Sequence, residues 1–442
     1  MRYALRKHLI VGALLGLLVA LSSAGISPAI SSVSTLTAEA HHNRTLKLIN
    51  YFVERYHYRK TKLDDLLSSQ ILDRYLDALD VNRSYFLADD IEFFESYRYE
   101  LDDYLSAQDS GPLFGIFNVY RSRVLNRIDY ALDLLETPFD FSVDEVYPFD
   151  RTQAPWAVDS DDLDDLWRRR VKNDYLVLKL EGKTHSEISK TLKDRYQQQK
   201  RRISQLSSQD VFQIMVNAYM SAIEPHTGYF SPRATENFKI RMSLSLEGIG
   251  AVLQAQNEFT VVQRVVPGGP AELEGSLRAG DRIVGVGQGD TESVVDGIGW
   301  RLDDVVDLIR GPKGSIVRLQ IRPDPKTGNS ESRILALTRD EIKLEEQAAQ
   351  STLLAVRDTE QVRRIGVIDI PTFYVDFDAR SRGDADYRST TRDVRRLITE
   401  LENEGIDGLI IDLRGNGGGA LAEATALTGL FIDSGPVVQV RD

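Results

Sequence analysis

Between Arg44 and about Ala222, apolar residues recur at the three-to-four-residue spacing that gathers them on one face of an α-helix. Leu48, Ile49, Phe52 and Tyr56 form one such face. Leu67, Ile71, Leu72, Tyr75 and Leu79 form a second, and Val124, Leu125, Ile128, Ala131, Leu132 and Leu135 a third. Thr184 and Glu187 stand at capping-box spacing ahead of a polar helix, and Val211–Ile223 is a further amphipathic run. Pro138–Pro155 reads as a connecting loop. The acidic run Asp161–Asp165 has the composition of a metal cluster. It fits better the first turn of a helix reaching Leu176, where the helix dipole favours negative charge. Aromatic residues in this stretch are expected in the core or along a groove.

Near Met242 the period changes. Ser243–Gln256 and Thr260–Val262 mix glycine with β-formers, Pro267-Gly268-Gly269-Pro270 is turn chemistry, and Arg282–Val286 alternates as a strand does. A short helix is predicted over Arg301–Ile309, ended by Gly311-Pro312-Lys313-Gly314, with strands at Val317–Ile321 and Ile334–Leu337. A third region begins near Glu345. Ile365–Ile370 is an apolar strand closed by Pro371, and Ser389–Leu401 is helical. Gly408–Leu413 has the nearly continuous apolar run of a parallel strand buried on both faces. Gly415-Asn416-Gly417-Gly418-Gly419 follows, then helical spacing over Ala420–Phe431 and a strand at Val437–Val440. The chain is therefore read as multidomain α+β: helical over 44–239, mostly β over 240–341, and α/β over 342–442. The last of these, ending on a strand without the rest of its sheet, is expected to be incomplete.

The N-terminus has a pattern of its own. Arg2, Arg6 and Lys7 precede an unbroken run of apolar residues and glycines, Leu9–Leu21, and Ser22-Ser23-Ala24 then offers a small-residue cleavage site. This layout predicts a cleaved signal peptide over 1–24 and an exported product. The run is shorter than the roughly 20 residues a membrane span requires, which argues against an uncleaved anchor. Residues 25–43, rich in Ser, Thr and Ala, are expected to form a flexible leader. Lys plus Arg number 54 against 67 Asp plus Glu, a formal net charge of −13, which disfavours a nucleic-acid partner. Cysteine is absent, which excludes disulfides, Cys-ligated metals and cysteine nucleophiles.

Few residues offer catalytic chemistry by spacing alone. Of the 6 histidines, His8, His41 and His42 fall in the signal or leader, and His57 and His185 sit in helical, polar surroundings as solvated or capping residues. His226, in Glu224-Pro225-His226-Thr227-Gly228-Tyr229, reads as part of a structured turn. No metal-ligand spacing occurs, and no cofactor is implied. Gly285-Val286-Gly287-Gln288-Gly289 lacks the following apolar helix that dinucleotide binding needs. Gly415–Gly419 does lie between a strand and a helix, where backbone N–H groups can receive a phosphate or the oxyanion of an acyl-transfer intermediate. A tight structural turn is the alternative. In the β region, Gly248, Ile249, Gly250 and Ala251 can expose N–H groups to a terminal carboxylate while a peptide adds to the strand edge. Leu302, Val305, Val306 and Ile309 would form the opposite wall.

These motifs together resemble the tail-specific proteases, the C-terminal-processing serine peptidases of bacteria. The matching pieces are Glu224–Pro232, Gly248-Ile249-Gly250, Val266–Ala271 with Ala279-Gly280-Asp281, Ile309–Gly314, Ile370–Tyr374 and Asp412–Gly419. The resemblance runs from about residue 45 to the last residue, and the long helical part resembles the larger, gram-negative branch. It implies a PDZ domain over 240–341 and the first part of a crotonase-like serine protease core from 342. It implies a periplasmic endopeptidase that cleaves proteins near apolar C-termini with a serine nucleophile and a lysine base. Peripheral membrane association and an unidentified adaptor are compatible with it. The turn would supply part of the oxyanion hole through Gly417, Gly418 or Gly419. The serine and lysine motifs of the family have no counterpart here, so no nucleophile or base is assigned, and the chain is expected to be part of a longer protease. The competing expectations are a non-catalytic PDZ adaptor and, more remotely, a phosphate-binding enzyme using Gly415–Gly419.

Overall fold

The computed structural model describes residues 34–290, 293–324, 331–357 and 361–439. The expected signal peptide, 1–24, lies outside them. The flexible leader needs correcting where it is described, because helix α1 (Ala40–Tyr56) begins inside it. Local contacts order this stretch. The Leu36 N–H donates to Asn118 Oδ1 at 3.0 Å, and Asn118 Nδ2 donates back to the Leu36 carbonyl at 2.8 Å. His42 is buried with its ring stacked on Phe212 at 4.6 Å.

The helices α2 (Asp65–Asp80), α3 (Ala88–Glu95), α4 (Leu101–Ser106), α5 (Gly111–Leu134), α6 (Ser160–Leu180), α7 (His185–Ser204), α8 (Ser208–Ile223) and α9 (Pro232–Ser243) follow. One apolar core joins α1, α2, α8 and the first half of α5, and a second joins the rest of α5 to α6 and α7. The α2 and α5 faces are buried where the periodicity puts them. That of α1 is only in part: His42, Leu46 and Val53 face the core and Ile49 packs against it half-buried, while Leu48, Phe52 and Tyr56 stand in solvent. Helix starts follow the capping chemistry. Asp159 accepts from the N–H groups of Asp161 and Asp162, which makes that acidic run a helix start, and Thr184 and Glu187 form a reciprocal box.

The β region holds β1 (Ser245–Gly248), β2 (Ala251–Gln256), β3 (Phe259–Val265), α10 (Pro270–Glu274), β4 (Arg282–Gln288), β5 (Val295–Asp296), α11 (Leu302–Ile309), β6 (Ile316–Arg322), β7 (Arg333–Thr338) and β8 (Asp340–Lys343). Antiparallel pairing gives the order β2-β3-β4-β6-β7, with β2 at one edge. A separate ribbon pairs β1 with β8. The boundary expected at 240 therefore falls inside α9, and that at 342 inside β8, because these elements run continuously across both junctions.

In the third region, β9 (Gln350–Arg357), β10 (Val362–Asp369), α12 (Phe377–Ser381), α13 (Thr390–Asn403), β11 (Gly408–Asp412) and α14 (Leu421–Thr428) form a mixed α/β layer. The order is β11-β10-β9, with β11 parallel to β10 and β9 antiparallel to it. Ile368, Leu409 and Ile411 pack beneath α13 and α14. The other face carries Leu354, Ile365, Val367 and Ile410, and Ile410 is 50% exposed. The expectation that this strand is buried on both faces is thus corrected: β11 is an edge strand covered on one side. The expected strand at Val437–Val440 is also absent over the described residues 437–439, which are irregular.

Candidate active-site turn and peptide groove

The glycine turn is built against the segment after β10. Asn416 organises it: Nδ2 donates to the Ile370 carbonyl at 2.8 Å, and Oδ1 accepts the Gly418 N–H at 2.7 Å. The Phe373 N–H and the Thr372 hydroxyl both donate to the Gly418 carbonyl at 2.8 Å, and the Ala420 N–H donates to the Phe373 carbonyl at 2.8 Å. The two segments lie so close at Gly419 that a Cβ there would stand 2.3 Å from the Phe373 oxygen. This contact, together with φ +142°, explains the glycine.

The three oxyanion candidates are consequently not equivalent. The Gly417 N–H reaches the Pro371 carbonyl at 3.3 Å and that of Gly418 is held by Asn416. The Gly419 N–H has no acceptor among the described residues. Sequence reasoning placed Asn416, Thr372 and Phe373 in its motifs without a role of their own, because those roles come from a pairing across 46 residues that local spacing does not reveal. It also missed the support beneath: the Tyr374 hydroxyl donates to Asp393 at 2.6 Å, and burial raises its pKa above the usual phenol range. Ahead of the turn, the Arg414 guanidinium and backbone N–H hold the Asp412 carboxyl down at about 2.

The second candidate lies in the β region. The Ile249 and Gly250 carbonyls accept from Ala271 and Val266, both at 2.8 Å, while their own N–H groups find no acceptor among the described residues. Gly250 has φ +73°, and a Cβ there would meet Gly269 at 3.0 Å, so the loop needs glycine. The loop leads into β2, the edge strand, and α11 packs beside β2. Not all four predicted helix positions form a wall. Val305 and Ile309 are buried in the core, as is the Ile249 side chain, because a helix laid on a sheet turns one stripe inward. Leu302 and Val306, one turn apart and half-buried, remain for a groove, with Gly248 and Ala251 at the ends of the loop.

Helix α11 is held from outside this region. Arg233 in α9 donates to Asp304 at 2.7 Å and ion-pairs with Asp307 at 2.7 Å. Arg301 pairs with Asp210 of α8 at 2.6 Å, and Gln205 Nε2 donates to the Gly299 carbonyl at 2.6 Å. A cleft of about 550 Å³ between α9, β1, the end of α11 and α12 separates the β and α/β regions. His57 takes the capping role of the two expected for it, as the C-cap of α1, and its Nε2 lies 3.0 Å from the Thr227 hydroxyl, which bonds to Glu224. His226 belongs to that turn, and its N–H donates to Glu224 at 3.0 Å. No group of His, Cys, Asp and Glu suited to a metal occurs among the described residues.

A helical region, an edge-strand β domain and a glycine-turn α/β layer thus follow one another along the chain. Residues 49–233 match the tail specific protease N-terminal domain, 238–322 the PDZ domain and 364–442 peptidase family S41. A tail-specific protease of Haemophilus influenzae is 43% identical over 94% of this chain and 56% of its own length. A carboxy-terminal processing protease CtpA of Bacillus subtilis is 30% identical over 49% of this chain and 40% of its own. A crystal structure of the PDZ domain of a carboxy-terminal protease from Vibrio cholerae, with peptide, is 54% identical. It covers 23% of this chain and 99% of that chain, with a TM-score of 0.22. The chain belongs to the tail-specific protease family, and it spans about half the length of these two curated relatives.

Proposed function

We propose that the protein serves tail-specific proteolysis in the periplasm. Apolar C-termini of exported proteins are captured between β2 and α11 and passed to a serine–lysine peptidase centre whose oxyanion is met at the Gly415–Gly419 turn. The observation that carries this reading is the pair of unengaged N–H groups at Ile249 and Gly250, beside an open strand edge and the half-buried Leu302 and Val306. Such N–H groups suit a carboxylate, the edge accepts an extended peptide, and the apolar wall takes its last side chain. At the turn, the free Gly419 N–H is the best-placed donor to a developing oxyanion. No lysine occurs over residues 344–442, so this reading takes the base, and the serine that works with it, from outside that stretch and expects the chain as given to bind peptide without cleaving it.

The test is titration of an apolar C-terminal peptide by fluorescence anisotropy, with mass spectrometry of the same samples after long incubation. Amidating the peptide C-terminus should weaken binding, since charge-assisted hydrogen bonds are about twice as strong as neutral ones. Val306→Asp should weaken it further by charging the wall. Equal affinity for free and amidated peptides would sink the carboxylate site. Cleavage by the purified chain would sink the assignment of nucleophile and base elsewhere. A non-catalytic adaptor is the second reading, favoured by the same loop. It prevails if the full coding sequence supplies no serine and lysine.

A further inference from the structure

We propose that Trp300 forms a third side-chain subsite of the peptide groove, one that takes a large apolar side chain at the fifth residue from the C-terminus of the bound tail. This rests on the reading of β2 and α11 as a peptide groove. The two ends of α11 fix the direction of that groove. Past the helix end, the Lys313 N–H donates to Glu247 at 3.1 Å, just before the loop of Ile249 and Gly250. Ahead of the helix start, the Gly299 N–H donates to the Glu258 carbonyl at 2.7 Å, at the hairpin that joins β2 to β3. A tail whose carboxylate sits at the loop therefore runs antiparallel to β2, from Gln256 back toward Ala251. Alternate side chains of a strand point to the same side, so the last, third and fifth residues from the C-terminus all face α11.

The spacing of the wall matches that period. Val306 and Leu302 stand one helical turn apart, about 6 Å along the axis, close to the roughly 7 Å between alternate residues of a strand. Val306, nearer the loop, then meets the last side chain and Leu302 the third. Before the helix, Arg301 is extended at φ −63° and ψ 141°, which carries the wall on to Trp300 and the level of the fifth residue. Trp300 is 45% exposed and Ile298 38% exposed, and neither joins the apolar core of the β region. Their backbone is nonetheless anchored. The Gly297 N–H donates to the Val284 carbonyl at 3.0 Å, the Trp300 N–H donates to the Gly297 carbonyl at 3.2 Å, and Gln205 holds the Gly299 carbonyl from the helical region. A large ring kept in water on an anchored turn is a preorganised contact for an apolar side chain. The outer half of β2, Gln254–Gln256, is exposed, so the strand edge stays open as far as this level. Glu258 and Asp303 are exposed at the same end and disfavour an acidic residue there.

Fluorescence anisotropy tests the subsite with one short peptide and three longer ones that share its last four apolar residues. The longer peptides carry Phe, Ser or Asp at the fifth residue from the C-terminus. The Phe peptide should bind roughly ten-fold tighter than the Ser peptide, as burial of one large apolar side chain implies, and the Asp peptide more weakly than either. Trp300→Ala should remove the Phe advantage and leave the short peptide bound as before, and Trp300→Phe should keep most of that advantage. The Phe peptide should also shift tryptophan emission to the blue, a shift that Trp300→Ala should lose. Equal binding of the Phe and Ser peptides, or an advantage that survives Trp300→Ala, overturns the subsite while the groove stands. Loss of the short peptide in Trp300→Ala would make the residue a structural support and overturns the subsite as well. If no peptide of either length binds, the groove reading itself falls and the subsite with it.

Discussion

At Gly419 the backbone of one segment touches that of another, and the residue alternatives are therefore unequal. Gly417 has open space at its Cβ position and is not in the left-handed region, so Gly417→Ala should leave the melting temperature nearly unchanged. Gly419→Ala must push Phe373 away and should cost about 2 kcal/mol or more, read by urea denaturation. Equal stability of the two variants would show that the close approach is not real. The Asp412 carboxyl offers a pH prediction nearby. Its folded pKa of about 2 lies below the ordinary value, first because Arg414 bonds to the ionised form. A depressed carboxylate stabilises the fold above the unfolded pKa of about 3.9, and that contribution disappears as pH falls through about 2. Carbon-13 titration should place the Asp412 midpoint near 2, and Arg414→Ala should raise it part of the way, since the residue 414 N–H still donates at 3.0 Å. A midpoint unmoved by that change would mean that the guanidinium does not engage the carboxyl.

Among the elements, α11 depends most on residues beyond itself. Its last carbonyls are met by Arg339, whose Nε donates to Ile309 at 2.8 Å and whose Nη2 donates to Leu308 at 3.0 Å. The same guanidinium also donates to Gln288 Oε1 at 2.6 Å and Ser315 Oγ at 2.9 Å. It is buried, and the helix end supplies the negative potential that ordinarily comes from a carboxylate. Lysine cannot reproduce this fork. Arg339→Lys should therefore destabilise the β region by roughly 2 kcal/mol or more and weaken peptide binding beside α11, both measurable on one preparation. Retained stability would deny the guanidinium its role. Sequence pattern found α11 and its apolar stripe, and the loop of Gly248–Ala251 and the turn of Gly415–Gly419 were legible as glycine placed where N–H groups gather. It did not reveal Arg339, Asn416 or Phe373, because their partners lie far along the chain. The α1 periodicity misled for a related reason: two stripes of apolar residues wind around that helix, and spacing says nothing about which of them has a neighbour.

Across the whole molecule, the helical and β regions each close apolar cores, although residues such as Leu48 and Phe52 of α1 stay in solvent, whereas the α/β layer leaves one face of its sheet open. The run at Gly408–Leu413 suggested burial on both sides, but hydrophobicity records what a strand can bury and not what covers it. Leu354 is 44% exposed and Ile410 50% exposed, and they stand on the same side of the sheet as Ile365 and Val367. The outer edge of β11 has no partner strand among the described residues. An apolar face next to an unpaired edge is a template for association, since a second strand would satisfy the backbone and cover the side chains together. The purified chain should accordingly self-associate with rising concentration in light scattering. Ile410→Lys places a charge on that face without emptying the core beneath α13 and α14, which is built by Ile368, Leu409 and Ile411. It should reduce association while changing stability by no more than about 0.5 kcal/mol, as surface substitutions ordinarily do. Association that persists unchanged in Ile410→Lys would remove this sheet as its cause. A large loss of stability in that variant would show that Ile410 is packed after all.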